Sequence, residues 1–174
     1  MEVRFVPADL RRLDRLKSEA LSLAFFEDER PLRGALGLVD WRLCGFLSRE
    51  VRAGRVRGVE GEVTLTPTQG RLSVDKLFLF GLGPRAAFGP EVYEGCVRRM
   101  FRTLERAKVR SSVCGLPGRS VEAIEPEEAM ERLLGVAGEF LEHDELTLLE
   151  GPDAQKAMEP VLLQERRRAR AFSG

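Results

Sequence analysis

The sequence predicts a three-layer α/β/α sandwich around a six-stranded mixed sheet. Three observations lead there. Strand-like and helix-like segments alternate along the chain, the order expected of a mostly parallel sheet with crossover helices. The run Leu77-Phe78-Leu79-Phe80 is apolar on both faces, as a central strand covered on both sides must be. Residues 62–66 form a second strand close before it in sequence. The two pair as a hairpin-like unit near one edge, which makes the sheet mixed.

The elements follow in order. Glu2-Val3-Arg4-Phe5-Val6 alternates polar and apolar residues and reads as a first strand, ended by Pro7. Asp9 caps a short helix through Arg15, with Leu10 and Leu13 inward. Residues 20–26 form a mostly apolar, central second strand, followed by the charged turn Glu27-Asp28-Glu29-Arg30-Pro31. From Gly34 to Ala53 the period is helical. Leu38, Trp41, Leu43, Cys44, Leu47 and Val51 form its stripe, Asp40 serves as a cap, and Gly54 ends it. Arg49, Arg52, Arg55 and Arg57 cluster around that end, where positive charge suits the helix dipole. Residues 62–66 alternate as a third strand, 67–70 turn, and 77–80 form the fourth strand, which stops at Gly81-Leu82-Gly83.

Pro90 takes the first position of an amphipathic helix carrying Tyr93, Val97, Met100, Phe101, Leu104 and Ala107, with Glu91 and Glu94 in its first turn. Residues 109–114 give a fifth strand, then the Gly-rich loop 115–120. Pro126 opens a helix with Met130, Leu133, Leu134, Ala137, Phe140 and Leu141 inward. Residues 145–149 are the sixth strand. A last helical stretch is interrupted or kinked at Pro160, and residues 160–174 form a basic helix or tail containing Arg166-Arg167-Arg168.

Composition narrows the function classes. The chain has 174 residues, enough for a single domain spanning 1–174. Lys and Arg together number 28, as do Asp and Glu, so the net charge is zero. That argues against a dedicated nucleic-acid binder. The arginine-rich end reads either as a solvated helix end or as a contact for an acidic partner. No apolar run reaches membrane-spanning length, and the N-terminus reads as a strand rather than a signal peptide. Cys44, Cys96 and Cys114 are widely spaced in apolar contexts. They predict buried reduced thiols of a cytoplasmic protein and no zinc site.

Leu77-Phe78-Leu79-Phe80-Gly81-Leu82-Gly83, followed by a loop, an amphipathic helix and a strand, resembles the N-terminal domain of the leucyl aminopeptidases. There a hydrophobic strand ends in a similar Gly-x-Gly turn, though Pro84-Arg85 replaces the usual Lys-Arg type ending. The order of the other elements agrees over nearly the whole chain. The resemblance implies a macro-domain-like fold and a non-catalytic role. In that family a separate C-terminal domain holds two metal ions, and its Asn-Thr-Asp-Ala-Glu-Gly-Arg signature is absent here, so no metal ligand or catalytic residue carries over. Family peptidases are hexamers, which implies a protein partner or self-association for a free-standing relative.

Gly81-Leu82-Gly83-Pro84-Arg85-Ala86 formally fits a dinucleotide fingerprint. However, Pro84 removes a donor, Gly89-Pro90 delays the helix, and no acid follows the next strand. A nucleotide or ADP-ribose type of ligand is the alternative that the macro-like resemblance implies. Asp9 follows strand one, where macro domains carry an adenine-reading Asp, and the loop 115–120 can cradle phosphate with backbone N–H groups. Against it, residues 26–31 are acidic where a diphosphate would pass. The candidate ligand-binding residues are therefore Asp9, Gly81, Gly83, Arg85, Gly115, Gly118, Arg119 and Ser120. No catalytic residue and no cofactor is predicted. His143 reads as a helix-end histidine favoured in its charged form, with no nucleophile near it in sequence.

Overall fold

The computed structural model describes residues 1–172. Six strands form one sheet in the order β1-β6-β5-β2-β4-β3. They are β1 (Glu2–Val6), β2 (Ser18–Phe25), β3 (Val63–Thr66), β4 (Val74–Gly81), β5 (Ser111–Cys114) and β6 (Glu145–Leu149). All neighbours are parallel except β3 and β4, which pair antiparallel with Leu65 opposite Phe78. The expected mixed sheet with an antiparallel edge is thus present, and β2 and β4 are interior strands.

The strand period of two assigns each side chain to a layer. In β4, Phe78 and Phe80 face one layer while Leu77 and Leu79 face the other. The first layer contains α4 (Pro90–Arg106), α5 (Pro126–Ala137) and α6 (Pro152–Phe172), which bury Tyr93, Phe101, Met130, Leu133 and Met158. The second contains α1 (Leu10–Leu13), α2 (Gly34–Arg42) and α3 (Phe46–Arg52), which bury Leu13, Leu36, Val39 and Leu47. Tyr93 is wholly buried, and its hydroxyl donates to the Ala129 carbonyl at 2.6 Å, tying α4 to α5. Burying a ring of that size contributes about 2–3 kcal/mol, and the hydrogen bond satisfies its one polar atom.

Several local expectations are corrected. The single helix over 34–53 is two helices. The backbone turns left-handed at Cys44 (φ 55°) and Gly45 (φ 75°), a conformation Gly45 adopts without a Cβ penalty. Asp40, expected as a cap, sits inside α2 and accepts the Ser48 N–H at 3.1 Å and the Ser48 hydroxyl, capping α3 from outside. Ahead of the break the inward stripe differs from the expected one. Leu36, Val39 and Leu43 turn inward, whereas Trp41 is 66% exposed and Cys44 is exposed. Cys96 and Cys114 are the buried thiols. Burial pushes Cys96 up to about 12 and Cys114 higher still, so both stay protonated. Leu141 is exposed because α5 stops at Ala137, ahead of it, while Phe140 folds back to stack on Phe101 at 5.2 Å.

The last helix is not interrupted. α6 runs through Pro160, whose ring lies on the exposed side. The basic run lies on its solvent side at Arg166, Arg167 and Arg168. The Arg170 side chain and residues 173–174 lie outside the described residues.

Candidate functional site

A cleft of about 180 Å³ opens at the C-terminal ends of β2, β5 and β6. This is where an open parallel sheet places ligands, because the loops leaving adjacent strands diverge there. Leu23 and Leu149 supply apolar wall, the start of α2 forms one side, and Gly115, Arg119 and Ser120 form the other. The two sides nearly touch: a Cβ built on Gly34, itself at φ 57°, would lie 2.7 Å from the Ser120 Cβ.

Three charged side chains of this region, Arg119, Glu150 and Glu29, are bonded to each other or to backbone, and Arg33 also lines the cleft. Glu150, at the end of β6, accepts from Arg119 Nε at 3.1 Å and from a second guanidinium nitrogen at 3.3 Å. A third Arg119 nitrogen donates to the Ile124 carbonyl at 2.7 Å. Glu150 is 5% exposed, and burial raises its carboxyl pKa above the usual range while the Arg119 guanidinium pulls it down. In the loop after β2, Glu29 is buried as well. It accepts the Phe26 N–H at 3.2 Å and the Arg33 N–H at 3.1 Å, the latter at the cap of α2. Burial raises its carboxyl too. The acidic stretch read from the sequence thus includes a carboxylate folded inward onto its own loop.

The eight candidate residues separate into groups. Gly115, Arg119 and Ser120 line the cleft. Gly118 lies behind it in a left-handed turn (φ 76°), packed so that a Cβ would meet the Phe88 ring at 2.7 Å. Asp9 accepts the Arg12 N–H at 2.8 Å as the cap of α1 and is not a lining residue, although its neighbour Ala8 is. Gly81 and Gly83 are turned away from the cleft. Their N–H groups donate to the carbonyls of Glu62 and Gly58, each at 2.9 Å. A Cβ on Gly81 would lie 2.0 Å from the Val59 carbonyl oxygen. The Gly-x-Gly turn is therefore a packing device against residues 58–62. Arg85 is exposed. Its backbone N–H donates to Asp28 at 3.1 Å and its guanidinium to the Val121 carbonyl at 2.8 Å, bracing the loop beside Arg119.

Besides the Glu150 partner of Arg119, sequence reasoning missed a polar contact away from the cleft. At the opposite end of the sheet His143 Nε2 lies 2.9 Å from Ser112 Oγ, and Nδ1 lies 3.3 Å from the Val109 carbonyl. A carbonyl only accepts, so Nδ1 carries the hydrogen and Nε2 accepts from the serine. This corrects the charged helix-end reading: burial lowers the His143 pKa and favours the neutral ring. The two residues are 31 apart in sequence, so no local motif signals them. Ser112 is 1% exposed, with no room for a substrate at its hydroxyl, and the pair fastens the start of β5 to the loop before β6. Among the described residues no group of three or more His, Cys, Asp or Glu side chains is placed to hold a metal ion. No described helix is long and apolar enough to cross a membrane.

The comparisons agree with this geometry. A family model described as "Cytosol aminopeptidase family, N-terminal domain" matches residues 23–138. A probable cytosol aminopeptidase of Burkholderia multivorans is 32% identical over 93 residues, covering 53% of this chain and 18% of that protein. The chain spans about a fifth of the length of the curated relatives it matches. Among solved structures, a Trypanosoma brucei macrodomain in complex with ADP-ribose aligns with a TM-score of 0.72 at 19% identity, over 92% of this chain and 68% of that one. A tomato leucine aminopeptidase mutant aligns with a TM-score of 0.61 at 16% identity, over 91% of this chain and 35% of that one. At these identities the structures show a shared macro-like fold.

Proposed function

The chain belongs to the cytosol aminopeptidase family through its N-terminal domain, and from that membership we propose that it is a cytoplasmic, non-catalytic module acting in protein interaction, assembly or regulation. Residues 1–174 serve as one unit, without peptidase chemistry of their own, and nucleic acid is not their partner. The observation that carries this reading is the internal pairing at the strand-end cleft. Arg119, Glu150 and Glu29 are bonded to each other or to backbone, so these charges are satisfied without a ligand. Apolar side chains lie instead on the outside, at Trp41 and at Leu65 of edge strand β3. Such groups favour association when a partner covers them. Light scattering of the full chain over a range of concentrations tests self-association. The expected result is a mass above one chain, with the emission of the single tryptophan, Trp41, moving to shorter wavelength as the indole is covered. A chain monomeric at every concentration removes self-association and leaves only a partner of different sequence.

A second reading is favoured by the cleft's position. It lies at the C-terminal ends of the central strands, and structural neighbours of the same fold are described in complex with ADP or ADP-ribose. In this reading the cleft takes a nucleotide-type ligand between Gly115, Arg119, Ser120 and the start of α2. Thermal unfolding with millimolar ADP-ribose tests it, and an unchanged midpoint refutes it.

A further inference from the structure

We infer that Glu150 is a specificity-determining residue of the strand-end cleft, a resident anion that occupies Arg119 and so excludes phosphate-bearing ligands. This rests on the first reading above, in which the charges of that cleft are taken up by the chain itself. Arg119 is the guanidinium on the loop side of the cleft, and it is not free. Two of its nitrogens meet the two Glu150 oxygens at 3.1 and 3.3 Å, a bidentate arrangement that matches the fork of the guanidinium. The pair is shielded from solvent, with side-chain exposures of 14% and 6%. A buried pair of this kind is weakly screened, and an incoming anion must break it and leave the Glu150 charge without a partner.

The main chain that carries this carboxylate is also held in place. The Glu150 N–H donates to the Val6 carbonyl at 3.1 Å, and the Gln155 side-chain amide donates to the Glu150 carbonyl at 2.7 Å. The end of β1 and the first turn of α6 therefore fix the backbone from which the Glu150 side chain projects. Glu29 does the same on the other side of the cleft. It takes the N–H of Arg33 at the cap of α2, and its charge sits at the positive end of that helix. The Arg119 guanidinium and the start of α2 thus each already carry a carboxylate of the protein itself.

The test uses the full chain, inorganic pyrophosphate as the probe and isothermal titration at neutral pH, with circular dichroism confirming the fold of each variant. Glu150→Gln keeps the size of the side chain and removes its charge. The expected result is no saturable heat for the unmodified chain and binding by Glu150→Gln at least about tenfold tighter, the scale of one charge-assisted hydrogen bond. Adding Arg119→Gln to Glu150→Gln abolishes the gain. Glu150→Asp, which keeps the charge but withdraws it from the guanidinium, serves where Glu150→Gln does not fold, and an affinity above that of the unmodified chain is expected. Equal affinity in the unmodified chain and the variants overturns the inference while leaving the nucleotide reading standing. Binding by Glu150→Gln alone upholds the inference and removes pyrophosphate-type ligands from the native chain. Folded variants that bind nothing overturn the inference.

Discussion

Gly81→Ala separates a packing glycine from a ligand-cradling one. The added methyl would lie 2.0 Å from the Val59 carbonyl oxygen and 2.6 Å from the Gly58 carbonyl carbon, both backbone atoms. Real Cβ contacts essentially never fall below 3.0 Å, so β4 and residues 58–62 must separate by at least 1 Å. Overpacking of this kind costs about 1–3 kcal/mol. The same movement strains the Gly81-to-Glu62 and Gly83-to-Gly58 backbone bonds, each contributing about 1 kcal/mol net. Together the loss is about 3–5 kcal/mol, a large part of the roughly 5–15 kcal/mol total stability of a domain. At about 2–4 °C per kcal/mol for a chain of this size, the midpoint should fall by about 6–20 °C. Urea unfolding followed by circular dichroism measures the same loss at 25 °C. The control is Gly95→Ala in the middle of α4, where a Cβ meets nothing within 4 Å. It should raise stability by about 0.5–1 kcal/mol, the helix preference for alanine. If Gly81→Ala stays within about 1 kcal/mol of the unmodified chain, the packing reasoning fails and the turn is free to serve a ligand.

Three further outcomes follow from single contacts. Ser22 Oγ is buried without a hydrogen-bond partner, so Ser22→Ala should leave stability unchanged or raise it by about 1 kcal/mol in urea unfolding, and a loss above that size would mean the hydroxyl is satisfied. Burial holds His143 below its ordinary 6.5. A depressed folded pKa gives stability that is complete above 6.5 and lost as pH falls through the folded value, so the midpoint should drop from about pH 7 to pH 5. Glu29 and Glu150 act with the opposite sign, being raised above 4.5. The imidazole is therefore isolated as the difference from His143→Gln, and identical pH profiles of the two proteins would contradict it. Trp41→Ala should change stability by less than about 0.5 kcal/mol, whereas Leu43→Ala, at a position 1% exposed, should cost about 2–5 kcal/mol, and the reverse order would contradict the burial assigned to the two side chains.

The sheet was legible because its signals are local. The alternation in Glu2–Val6, the two-faced run through Phe80 and the Pro90 helix start each follow from a few neighbouring residues. The helix break at Cys44 and Gly45 was less legible. Leu43 and Leu47 satisfy a helical period whether or not the backbone reverses between them, and the Asp40 cap reaches eight residues ahead. The site was only partly legible. Gly115, Arg119 and Ser120 were found because a Gly-rich loop at a strand end has one place to go. Glu150 was missed because its meaning depends on Arg119, 31 residues earlier, and Ser112 with His143 was missed for the same reason. The glycines of Gly81-Leu82-Gly83 carry the same letters whether they admit a phosphate or the backbone of residues 58–62.

The central claim is that this macro-like domain keeps its strand-end cleft closed with its own charges and works through its outer surface. Titration of the unmodified full chain with ADP-ribose, followed residue by residue through backbone amide signals, tests it most directly. The account predicts no saturable change at Gly115, Arg119, Ser120 or Leu36 up to millimolar ligand. Saturable shifts confined to those residues would contradict it.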